Sequence, residues 1–64
     1  MLRAITPEEA ELLRRLLTQY DIIVIAKYAL IAPAHLRELL NGVPWYSASL
    51  HAMRKNLEVF ERAQ

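Results

Sequence analysis

The sequence predicts an all-α fold of four to five short helices in a single domain, residues 1-64, and three observations predict it. Thr6, Pro7, Glu8 and Glu9 make a strong helix start, after which apolar residues recur at helical spacing. Pro33 and the pair Asn41-Gly42 bracket a short helix in the middle of the chain. A last run, opening at Ser47, sets Leu50, Met53, Leu57 and Phe60 on one helical face.

Taken in order, Met1 to Ile5 carries no capping or periodic signal and reads as a flexible arm or short lead-in. Thr6 can cap the first helix, Pro7 suits its first position because the missing N–H is not needed there, and Glu9 completes a capping box. Ala10, Leu13, Leu16, Leu17 and Tyr20 form its apolar stripe, widened by Leu12, while Glu8, Glu11, Arg14 and Arg15 lie mostly outside it. Asp21 is a natural N-cap for a second helix. Ile22 to Ile25 are β-branched and would suit a buried strand, yet only Val43 to Tyr46 could pair with them; a helix from about Ile22 to Ala29 is preferred. Leu30, Ile31 and Ala32 connect it to a third helix from Pro33 to about Leu40, stopped by Asn41 and Gly42. Val43 to Tyr46 reads as a loop rich in apolar anchors, and Ser47 or Ser49 can cap the last helix.

Sixty-four residues make one small domain, near the lower limit for a self-sufficient core. The absence of cysteine excludes a disulfide framework and thiolate metal sites and suits a reducing compartment. The apolar run Ile22 to Ile25 is too short to span a bilayer and no signal-peptide pattern opens the chain, so a soluble, cytoplasmic protein is expected. Eight Lys and Arg against seven Asp and Glu give a formal charge of +1, so any basic surface must come from local placement. An apolar share of 55% is high for a chain that must expose much of its surface, and it favours a homodimer.

The stretch DIIVIAKYALIAPAHLRELL, Asp21 to Leu40, has helix-turn-helix spacing. Small Ala26 sits where two helices approach closely, Ile31 follows the turn, and Leu36 and Leu39 lie one helical turn apart. With the next segment, SASLHAMRKNL, it resembles the Cro/C1-type (XRE-like) repressor domains over roughly residues 8 to 60. The resemblance implies a lambda-repressor-like fold with a central helix-turn-helix. It also implies a sequence-specific DNA-binding transcriptional regulator, a dimeric repressor, that reads the major groove with helix 33-41. Leu30 stands where the family carries glycine, so the turn either adopts a left-handed backbone at roughly 1 kcal/mol or takes another geometry. Ile22 and Ile23 replace the family's polar phosphate contacts, which are not carried over.

On that resemblance, base contacts fall to Ala34, His35, Arg37 and Glu38. Arg37 is the strongest, since a guanidinium can engage guanine O6 and N7 together; Ala34 can touch a thymine methyl and His35 can donate to a base or a phosphate. Ordinary places on a solvated helix face explain these residues as well. Phosphate contacts fall to Lys27, Asn41, Arg54 and Lys55, with Asn41 equally readable as a helix cap. Val43, Trp45, Val59 and Phe60 are the expected dimer interface, placing two recognition helices about one DNA turn apart; a loop Trp that plugs the core edge is the competing reading. The expected partners are double-stranded operator DNA and a second copy, with no cofactor and no metal.

An enzyme is not expected. His35 and His51 are the only imidazoles, and Ser49 lies two residues from His51, on a different helix face. One glycine cannot build a phosphate-cradling loop, and Glu58 and Glu61 read as solubility charges. The rival reading is a helical protein-binding adaptor or inhibitor that keeps the scaffold and engages its partner through Ile22 to Ile25 and Trp45.

Overall fold

The structure is a computed structural model describing residues 1–64. In chain order it comprises β1 (Leu2–Arg3), α1 (Pro7–Leu17), α2 (Ile22–Ala29), α3 (Pro33–Leu40), β2 (Trp45–Tyr46) and α4 (Ser47–Arg62). It is predominantly helical, with four helices and one two-stranded antiparallel sheet.

The local signals explain most of these boundaries. At α1 the capping box closes in both directions: Glu9 N–H donates to Thr6 Oγ1 at 3.1 Å and Thr6 N–H donates to Glu9 Oε1 at 2.8 Å. At α2 the Asp21 carboxylate accepts from Ile23 N–H at 2.9 Å. Ile22 to Ile25 are helical rather than extended because burial outweighs their β propensity; Ile25 is completely enclosed.

α2 and α3 end in the same way. Ile31 N–H reaches back to the Ala26 carbonyl and Leu30 N–H to that of Lys27; Val43 N–H reaches Glu38 and Gly42 N–H reaches Leu39. Both are Schellman closures, in which one residue must be left-handed. Gly42 supplies it for α3 at φ +86° and Leu30 for α2 at φ 63°, ψ 38°. The turn therefore has the left-handed geometry despite its leucine, because it satisfies the N–H groups of Leu30 and Ile31 and the carbonyls of Lys27 and Ala26 together.

The core is one cluster. Leu13 and Leu16 of α1, Ile25 of α2, Leu36 and Leu39 of α3, and Leu50 and Leu57 of α4 are fully enclosed, with Ala26 at the crossing of α2 on its neighbours. The apolar stripes read along each helix meet here, so the helical periodicity and the burial agree.

Three expectations are corrected. Met1 to Ile5 is tied down rather than a loose arm: Leu2 pairs with Tyr46 and Arg3 with Trp45. The Arg3 guanidinium also grips Glu9 through bonds of 2.8 and 3.0 Å. Val43 to Tyr46 is accordingly not all loop. Neither Ser47 nor Ser49 caps α4: both lie inside it, Tyr46 precedes it without a side-chain bond, and Ser47 N–H donates to the Met1 carbonyl at 2.8 Å. Glu9, which completes the capping box, is a buried carboxylate, held below its usual range chiefly by the hydrogen bonds from Arg3.

Candidate nucleic-acid interface

α3 buries Leu36 and Leu39, which turns Ala34, Arg37, Glu38 and Asn41 outward at i, i+3, i+4 and i+7. All four are exposed. The row begins close to the helix start and ends on the residue that closes it. It is thus a polar edge with one small apolar position.

His35 does not share this row. It is half-buried, its ring edge-on to Trp45 with centroids 4.4 Å apart and planes at 70°. Trp45 is held by the β1–β2 pairing and packs on the core, so the imidazole is drawn sideways off the α3 face. The indole thus plugs the core edge.

Ion pairing sorts the remaining charges. Arg3, Arg14, Arg15 and Arg54 pair with Glu9, Glu11, Glu61 and Glu58. Of the eight basic side chains these are four, leaving Lys27, Arg37, Lys55 and Arg62 free. Arg37 is the one free cation on α3, and nothing within the chain holds its guanidinium. Arg54 is half-committed to Glu58 one turn along at 3.3 Å, an exposed pair that is easily exchanged. Asn41 N–H is used by the end of α3, while its side chain makes no internal hydrogen bond and Gly42 takes the left-handed position.

Lys27 lies elsewhere. With Tyr28, Leu30, Asn56, Val59 and Phe60 it lines an open groove of about 590 Å³ between the C-terminal ends of α2 and α4. Phe60, expected on the dimer surface, is instead part of the chain's own core: it is 6% exposed, stacked on Tyr28 at 4.3 Å and edge-on to Tyr20 at 5.0 Å. Val43 and Val59 do remain exposed. The surface invoked for an adaptor shrinks in the same way, since Ile25 is enclosed and only Ile23 of that run is strongly exposed, at 64%.

Sequence reasoning missed Tyr28 and Leu30 as exposed apolar residues and Arg15–Glu61 as a bidentate link between α1 and α4. The signal for Leu30 was present: a leucine at a turn that favours glycine. No family model, curated protein or solved structure matches the chain.

Proposed function

We propose that this chain is a DNA-binding transcriptional regulator of helix-turn-helix type, with a lambda-repressor-like arrangement of α1 to α4, acting as a dimeric repressor on a pseudo-palindromic operator. The observation that carries the reading is the pair α2 and α3. They are joined by a left-handed turn at Leu30, locked by Ala26, Leu36 and Leu39, and present Ala34, Arg37, Glu38 and Asn41 as one exposed row with an unpaired guanidinium in its middle.

In this reading α3 enters the major groove. Arg37 donates two bonds to a guanine edge, Ala34 meets a thymine methyl, and Asn41 and Glu38 bond at the groove's rim. Lys55, with Arg54 after exchange of Glu58 for phosphate, contributes orientation rather than sequence preference. His35 acts through Trp45 as support for the start of α3.

Selection from random DNA duplexes at two salt concentrations tests the reading. Enrichment of an inverted repeat is expected, with Arg37→Ala weakening binding by roughly 5- to 150-fold and relaxing preference at one base pair. Binding must also weaken steeply with salt. No enriched sequence, or an Arg37→Ala protein with unchanged preference, rejects it. A helical protein-binding adaptor is the second reading, favoured by the exposed Ile23 at the start of α2, where a phosphate contact calls for a polar group.

A further inference from the structure

We propose that β1 braces the two helices that lack a side-chain cap, α3 and α4, and that Arg3 is the positioning residue through which α1 holds the brace; for the exposed row of α3 this rests on the proposed DNA-binding function. The four helix starts fall into two kinds. α1 has the Thr6–Glu9 capping box and α2 has the Asp21 carboxylate, each within a few residues of the N–H groups it satisfies. α3 and α4 follow Ala32 and Tyr46, and neither residue supplies a side-chain bond. Pro33 sets only its own φ at the start of α3. Support for these two first turns therefore comes from elsewhere in the chain.

β1 reaches both. The Met1 carbonyl accepts from the N–H of Ser47, the first residue of α4, at 2.8 Å, so β1 satisfies one of the donors left over at that helix start. The path to α3 has one more member. Arg3 lies opposite Trp45 across the strand pair, and the indole, seated on the core, meets His35 edge-on with centroids 4.4 Å apart. His35 belongs to the first turn of α3, and Leu36, next in sequence, makes the first bond of that helix, to the Ala32 carbonyl at 3.0 Å.

The other end of the brace is fixed to α1. The Arg3 guanidinium donates to both oxygens of Glu9, at 2.8 and 3.0 Å, and the Glu9 side chain is only 3% exposed. A fork of this kind sets direction as well as distance, and separating it would leave a buried carboxylate without its cation. A strand pair of two residues on each side is too short to hold itself in place, so the anchor at Glu9 keeps Trp45 against His35. Arg37 lies two residues beyond His35, and the aim of its guanidinium follows from how firmly that first turn is held.

Amide hydrogen exchange of the free full chain, read by NMR, tests the proposal. Arg3→Ala should speed exchange at Ser47 and Leu36 by roughly 2- to 30-fold, the range of a lost helix cap, beyond any change at Ile25, which makes the equivalent first bond of the locally capped α2. His35→Ala should speed Leu36 alone, and the double variant should exchange Leu36 no faster than Arg3→Ala, because both act on one path. If Arg3→Ala does not fold, Arg3→Lys, which keeps the charge and loses the fork, takes its place. On a duplex that wild type selects, the Arg3 variant should bind more weakly within the same range, with the preferred sequence and the salt slope unchanged, since no base or phosphate contact is lost. Unchanged protection at Leu36 and Ser47 in a folded Arg3 variant overturns the brace, and so does an equal loss at Ile25, Leu36 and Ser47, which is general destabilisation. A selected duplex bound with wild-type affinity, or with a lower salt slope, overturns the positioning role. A wild-type chain that selects no duplex rejects the DNA-binding function, and the exchange result then decides the brace by itself.

Discussion

Adding one methyl group at Gly42 measures what the left-handed closure costs in this chain. A Cβ built there meets nothing within 4 Å, so the substitution Gly42→Ala carries no steric clash and isolates the backbone term at φ +86°. An L residue at such a φ loses about 1–2 kcal/mol, partly offset by the lower unfolded-state entropy of alanine, for a net loss of about 1 kcal/mol. In a domain this small, that lowers the melting temperature by about 4–8 °C. Leu30 is the mirror experiment: Leu30→Gly should be more stable than Leu30→Ala by the same ~1 kcal/mol. The leucine's own contacts add little, since with 80% of it exposed only about 0.5 kcal/mol of burial is lost. Thermal and urea unfolding followed by circular dichroism at low protein concentration, with m unchanged, give all three values. The reasoning is refuted if Gly42→Ala is neutral, or if Leu30→Gly is less stable than Leu30→Ala, because then neither end requires the left-handed backbone.

Acid should destabilise the fold with a definite sign. Hydrogen bonds from Arg3 hold the Glu9 carboxyl below its usual range, and those from Arg15 do the same for Glu61, so the unfolded chain binds protons first as pH falls. Stability should be flat above about pH 5 and fall below about pH 4, and Glu9→Gln should reduce that slope; melting temperature against pH is the measurement. Phe60→Ala should cost about 3–5 kcal/mol, most of the stability of a domain this size, and Phe60→Glu should unfold the chain rather than yield a folded monomer, as read by circular dichroism.

The helix boundaries were largely legible because their causes are local. Asp21 needs only the N–H two residues on, and Pro33 needs only its own ring. The α3 row was legible in part: Leu36 and Leu39 at helical spacing imply that Arg37 and Glu38 face outward. His35 was not, because its position depends on Trp45, ten residues away and held by a strand pairing with Arg3. Two-residue strands carry no alternation to detect. Phe60 shows the same limit from the other side, since its place on the apolar face of α4 was evident while its cover, Tyr20 and Tyr28, lies on other elements.

By itself, then, the sequence determined where α1, α2 and α3 begin and where α2 and α3 end, which side of each helix is apolar, and that no cysteine chemistry is available, while it carried α1 on to Tyr20, past its end at Leu17. Those properties follow from capping groups, ring constraints and periodicity within a few residues of chain. Only the tertiary structure decided that Arg3 closes on Glu9 and Arg15 on Glu61, that Phe60 turns inward, and that Leu30 stands largely in water as one of the residues lining an open groove. Periodicity specifies a face, and what covers that face depends on neighbours distant in sequence.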